Sequence, residues 1–196
     1  MYSHSNAQEF SLGVSAGAIL TKPWIANDQG FELYSYMLSY SVNTYIGYKT
    51  SGWIGFSAEP GYIRKGGAAG STGLNGSKYV FNYINMPLLV DFYVVNKLSL
   101  SIGLEPALLL SAKYIYDGGK IDAFWDYEDF ELSGLIGMIY RPLDFLDIGF
   151  RYSIGITYLS EIEYTTIGGD PAGNSKTFNQ YFQLFLRYRF LTREKK

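Results

Sequence analysis

The chain is expected to form an eight-stranded antiparallel transmembrane β-barrel. Three observations lead there: period-two alternation of apolar and polar residues over eight segments, the absence of any stretch apolar enough for a membrane helix, and connections that alternate between long and short. Hydrophobic residues make up 47% of the 196 residues and charged residues only 17%. Aromatic residues reach 18%, with 19 Tyr, 13 Phe and 3 Trp, beside 22 Gly. Such a composition leans towards β structure. A barrel strand offers lipid only every second residue, so its apolar signal is diluted by half, and a mean hydropathy of −0.02 fits that dilution. No run approaches the roughly 20 apolar residues that a spanning helix needs.

The strands follow in order. Over residues 10–20 the even positions are Phe, Leu, Val, Ala, Ala and Leu, against Ser11, Gly13, Ser15, Gly17 and Ile19. Residues 34–48 set Tyr36, Leu38, Tyr40, Val42, Ile46 and Tyr48 against Ser35, Ser39, Ser41, Asn43 and Gly47. Residues 53–65 set Ile54, Phe56, Ala58, Pro60 and Tyr62 against Gly55, Ser57, Glu59, Gly61 and Lys65. Residues 83–93 oppose Ile84, Met86, Leu88, Val90 and Phe92 to Asn85, Pro87, Leu89 and Asp91. The same pattern continues over residues 98–113, 130–141, 147–158 and 181–190, where the polar face carries Glu105 and Lys113, Glu131 and Arg141, Arg151, and Arg187 and Arg189. Within these spans Arg64 is the only charge on the apolar face.

That asymmetry sets inside and outside. A soluble barrel would turn an apolar face inward and its charges to water. Here one face is continuous in Leu, Ile, Phe and Tyr while the other holds Gly, Ser and charges of both signs, so the apolar face should meet lipid and the polar one a side-chain-filled lumen. Eight strands leave no free edge. Residues 21–33, 66–82, 114–129 and 159–180 form the long connections, and 49–52, 94–97 and 142–146 the short ones, the arrangement of bacterial outer-membrane barrels with short periplasmic turns and four longer extracellular loops. Residues 1–9 are then an N-terminal periplasmic segment, 10–190 the barrel and 191–196 a C-terminal tail. Aromatic residues near strand ends, among them Trp53, Tyr62, Tyr83, Phe92, Tyr140, Phe145, Tyr158, Tyr181 and Phe190, suit interfacial girdles. General β-propensity would also enrich tyrosine in strands.

The stretches WIGFSAEPGYIRKGG and NYINMPLLVDFYVVNKLSLSIGLEPALLLSAK carry a resemblance. An acidic residue before proline and a KGG strand end (Glu59, Pro60, Lys65, Gly66, Gly67), then a tyrosine-led strand into Met-Pro-Leu-Leu (residues 83–89), resemble the small outer-membrane barrel domains of Bacteroidetes, a porin-like group that includes PorT-type proteins. The resemblance extends over nearly the whole chain and implies a fold, not an activity. One departure is the LTREKK that follows Phe190, where many outer-membrane barrels end on an aromatic residue. The polar opening MYSHSNAQEF shows no export signal, which implies a mature form bearing an added initiator Met.

The lumen charges, Glu59, Asp91, Glu105 and Glu131 against Lys65, Lys113, Arg141, Arg151, Arg187 and Arg189, should form a structural network, the alternative being a gate or a narrow conducting path. At least one of Glu59 and Glu105 is expected to meet Arg151 or Arg187. With no cysteine and a single histidine, His4, upstream of the first strand, neither thiol chemistry nor a histidine base or zinc site is expected, and no cofactor is implied. A net charge of −2 without a basic stripe excludes nucleic acid as a partner. The segment GGDPAGNSKT breaks the spacing of a phosphate loop and reads as a flexible loop. The acidic segment with Asp117, Asp122, Asp126, Glu128 and Asp129 reads as a solvated loop or a weak divalent-cation site. The function expected is a non-enzymatic outer-membrane component, structural or accessory to an assembly for secretion or envelope maintenance, with outer-membrane lipid and other envelope proteins as partners. The alternative is a small passive channel.

Overall fold

The computed structural model describes residues 8–26, 34–69, 76–123, 127–165 and 171–195. Thirteen β segments lie among the described residues: β1 (Gln8–Ala26), β2 (Tyr34–Ser35), β3 (Met37–Lys49), β4 (Ile54–Ala58), β5 (Gly61–Ala69), β6 (Lys78–Asn85), β7 (Leu88–Val95), β8 (Leu98–Tyr116), β9 (Gly119–Asp122), β10 (Phe130–Leu143), β11 (Leu146–Gly155), β12 (Ser160–Thr165) and β13 (Pro171–Lys195). They compose eight antiparallel staves: β1, β2/β3, β4/β5, β6/β7, β8, β10, β11/β12 and β13, and β13 pairs back onto β1 to close the ring. Pro60 and Pro87, which cannot donate to a ladder, mark two of the breaks within staves. Their carbonyls still accept from neighbouring staves, Thr44 N to Pro60 O and Glu59 N to Pro87 O, each at 2.9 Å.

Register partners followed once around fix the dimensions. From Glu9 the path runs through Lys49, Gly55, Asp91, Ser101, Gly137, Arg151 and Gln183 and returns to β1 at Ile19, a displacement of ten residues. Eight strands with this stagger tilt by about 40° and enclose a backbone radius of about 8 Å. The outward apolar run of β1, from Phe10 to Leu20, then rises about 25 Å along the barrel axis, the height of an outer-membrane apolar band.

Alternation places the side chains as their sequence parity indicates. Val14, Leu38, Phe56, Leu88, Ile102, Ile136, Phe150 and Leu184 are exposed on the outer face, while Ser15, Ser41, Ser57, Asp91, Ser101, Ser133, Arg151 and Gln183 are buried inside. Outer aromatic rings pair near the short-turn end, Trp53 with Phe92 at 5.6 Å and Phe145 with Tyr188 at 6.0 Å, and near the other end Tyr40 with Tyr62 at 5.9 Å. Tyr83 and Tyr181 do not belong to a girdle. Both lie at inward positions and are fully buried.

The strands run beyond the alternating segments. Lys22–Ala26 of β1 pair with residues 176–180, so β13 begins ten residues before Tyr181 and absorbs most of what reads as a Gly-rich loop. Residues 191–195, expected as a tail, pair with residues 8–12 of β1. The acidic segment folds partly into a hairpin of β8 with β9. The lumen is also less uniformly polar than its sequence suggests. At the long-loop end Ile19, Ile63, Phe81, Leu109, Ala112 and Leu159 form a buried apolar cluster, with Tyr127 edge-on to Phe81 at 4.7 Å.

Replacing Ile102 by Arg is expected to cost about 2–4 kcal/mol near the apolar midplane. Spin labels at Ile102 and at its inward neighbour Ser101 should differ strongly in oxygen accessibility, and equal values would remove the assigned faces. Gly103 cannot serve as the inward site, because a Cβ there would lie 2.0 Å from the Leu88 carbonyl oxygen.

Candidate functional site

The candidate site is the lumen network, built from side chains on all eight staves. Its centre is Glu59, at the kink between β4 and β5. Arg151 of β11 donates to both carboxylate oxygens, Nη1 to Oε2 at 2.7 Å and Nη2 to Oε1 at 2.5 Å, and Arg187 of β13 donates Nη2 to Oε1 at 2.5 Å. One carboxylate thus joins two guanidinium groups across the barrel, a bidentate fork plus a single bond. Arginine suits the geometry because its planar head can also stack. The Arg187 guanidinium lies 3.8 Å from the Tyr45 ring centroid, and that of Arg151 lies 4.4 Å from Phe185. Gly149 supplies the space for Phe185, since a Cβ there would come within 2.1 Å of the ring.

Towards the short-turn end the chain of charges continues. Asp147 accepts from Arg187 Nη1 at 3.3 Å and from Arg141 Nε at 3.2 Å, and lies 3.4 Å from Arg189 Nε. Arg189 donates to Glu9 at 3.1 Å and to the Asp144 carbonyl. Asp91 stands apart: it accepts from Ser57 at 2.8 Å, forms no ion pair among the described residues, and its second oxygen has no partner. Towards the long-loop end Lys65 donates to Glu105 and to Glu131, both at 2.7 Å. Glu105 also accepts from Tyr181 at 2.6 Å and Asn85 at 3.0 Å, and Glu131 from Asn179 at 2.6 Å and Ser133 at 2.9 Å.

Nine of the ten charged residues read from the sequence therefore lie inside or at the mouth of the lumen. Lys113 is the exception. Between Asn82 and Tyr83 the pairing of β6 with β8 shifts from Ser111 to Leu109, so Leu110 is an extra residue and parity reverses beyond it. Ala112 takes the inward place, fully buried, and Lys113 stands half-buried at the rim, in register with Asp122 of β9. Glu105 meets a lysine and neutral donors, not an arginine. Alternation alone did not bring out Asp147 or Glu9, although Asp147 has the inward parity of Arg151, four residues on. Glu9 falls before the first alternating run.

These features, a closed eight-stave ring with an apolar exterior band and charges tied across its interior, are those of an outer-membrane barrel, and the family model "Outer membrane protein beta-barrel domain" matches residues 5–161. The chain belongs to this family. This barrel domain is accordingly an outer-membrane protein surrounded by lipid. Its fold is shared with Neisserial surface protein A (16% identity, 91% of this chain and 97% of that one, TM-score 0.55). It is also shared with Ail, the attachment invasion locus protein of Yersinia pestis, in complex with a heparin analogue (13% identity, 93% and 99%, TM-score 0.50). A third is OprG of Pseudomonas aeruginosa (9% identity, 97% and 99%, TM-score 0.50). No curated protein matches the barrel domain's sequence.

Breaking a buried ion pair leaves an uncompensated charge, at about 3–5 kcal/mol. Glu59→Gln strands Arg151 and leaves Arg187 with Asp147 alone, whereas Arg151→Met leaves Glu59 with Arg187, so the first should destabilise the barrel domain by about that amount and the second by clearly less. Denaturant unfolding from lipid vesicles compares them, and equal costs would remove Glu59 from the centre of the network. Asp91→Asn is expected to be neutral or stabilising in the same assay, because it discharges a buried carboxylate that has no ion pair.

Proposed function

We propose that this outer-membrane barrel is a non-enzymatic, non-conducting component of the envelope, acting as a structural or accessory subunit of an outer-membrane assembly. The observation that carries this reading is the interior itself. Glu59 holds Arg151 and Arg187 in the middle of the lumen, and the apolar cluster around Phe81 and Leu109 lies over the network at the long-loop end. In a barrel of about 8 Å backbone radius, side chains reaching in from opposite walls fill the interior, and a paired, hydrogen-bonded charge network resists hydration because opening it exposes ions from which several kcal/mol each of stabilisation is withdrawn.

The chemistry of the interior supports a non-catalytic role. Apart from Asp91, held by Ser57, its carboxylates and cations are engaged with one another, so among the described residues no general base is poised beside a nucleophile or an open position. A barrel of this kind acts through its outer surface and loops, and the PorT-type resemblance of its KGG and Met-Pro-Leu-Leu segments favours a secretion or envelope-maintenance assembly of Bacteroidetes as its setting. The short turns are then periplasmic and the long connections extracellular.

Reconstituted into planar bilayers, the purified barrel should show no steady open state at physiological salt. A reproducible single-channel conductance would overturn the sealed-lumen reading in favour of a small passive channel. Mild-detergent extraction followed by native gel electrophoresis should recover the barrel in a species larger than its own 22.1 kDa, and migration solely as a monomer would count against an accessory role.

A further inference from the structure

At the end of β5 the sequence reads Lys65-Gly66-Gly67, all three buried. Gly66 has φ +142°, and a Cβ there would meet the Tyr79 carbonyl oxygen at 2.0 Å, so only glycine allows this strand to bend where it does. The Lys65 side chain is thereby carried across the lumen to Glu105 on β8 and Glu131 on β10. Its ammonium group lies 2.7 Å from a carboxylate oxygen of each and 5.2 Å from the ring centroids of both Tyr83 and Tyr181.

Two features distinguish this place from an ordinary ion pair. The first is charge. Two carboxylates and two aromatic faces, all of which favour a cation, surround one ammonium group, so the cage carries one negative charge in excess. The second is preorganisation. Glu105 is held by Tyr181 and Asn85, and Glu131 by Asn179 and Ser133, all from staves other than that of Lys65. The barrel wall therefore builds the cage whether or not the lysine fills it. Next to Glu131, the buried Oδ1 of Asn179 is an acceptor with no partner among the described residues.

We propose that Glu105, Glu131 and the faces of Tyr83 and Tyr181 form a binding site for a primary ammonium group. The chain fills this site in cis with Lys65, and the site accepts a free alkylammonium ion when that side chain is removed. In the native protein the lysine is a tethered ligand that keeps soluble amines out of the long-loop half of the lumen.

Lys65→Ala removes the atoms of a propylammonium ion. Refolded in detergent micelles and melted by gel mobility, this variant should have a lowered midpoint, and propylammonium chloride should raise it by about 5–10 °C at saturation. Sodium chloride at equal ionic strength, tetramethylammonium chloride and propanol should not, since each lacks either the N–H donors or the charge. The wild type, whose cage is filled, and Lys65→Met, which fills the space without charge, should ignore the amine. Refolding of Lys65→Ala only in the presence of the amine would equally support the site. An unresponsive Lys65→Ala, its failure to refold even with the amine, or an equal response from Lys65→Met would overturn it. Steady conductance through the wild type would overturn the sealed-lumen reading and leave this site standing.

Discussion

Closure of the backbone ladder is the constraint from which the rest of this molecule follows. In hydrocarbon every peptide N–H and C=O must find a partner within the protein, and eight staves meet that demand by pairing β13 with β1. Once the ring closes with a ten-residue stagger, its radius is set, and with it the distance over which interior side chains must meet. A polar interior of this width cannot be dilute. Most ions placed there are matched by another reaching in from a different stave, and many of the remaining lone pairs by an amide, hydroxyl or phenol.

The two halves of the interior meet that requirement by different chemistry. The short-turn half uses guanidinium groups, whose forks hold Glu59 and Asp147 from fixed directions and whose flat faces rest on Tyr45 and Phe185. The long-loop half uses one compact ammonium group, a point charge that two glutamates share, with neutral donors completing their coordination. Beyond it, polar chemistry gives way to aliphatic and aromatic packing. Asp91 departs from this economy, buried with a single serine hydroxyl as donor.

Alternation made the eight staves legible because a one-residue slip would turn every side chain to the wrong solvent, and the apolar exterior of this chain leaves no doubt about parity. The same logic fails where its physical basis stops. Past the apolar band the outward face is no longer held to apolar residues, and the inward Ser175, Thr177 and Asn179 are buried but polar, so the paired segments at Lys22–Ala26 and at the start of β13 carry no binary pattern and read as loops. A single inserted residue, Leu110, reversed the facing of Lys113, and nothing in local composition announces a bulge. The partners of the charges were the least accessible feature. Parity says that Glu59 and Glu105 both point inward, but only the stagger decides that the first is level with arginines and the second with a lysine. Asp147 and Glu9 lie at strand ends, where position along the axis matters more than alternation.

The ion pairs of the lumen also have a history in time. Glu59 bonds to residues 92 and 128 positions further along the chain, and Arg189 to one 180 positions before it. No hairpin of consecutive staves contains both members of any of these pairs. While the chain is still open Glu59 and Glu9 must remain hydrated, which keeps the unfinished sheet at a watery surface, and their arginine partners reach them only as the ring closes. Contacts so distant in sequence make folding slow and close to all-or-none. Joining the edges and emptying the interior of water thus become one event, and a chain that has not yet finished its ring is held back from the hydrocarbon by its own unmatched charges.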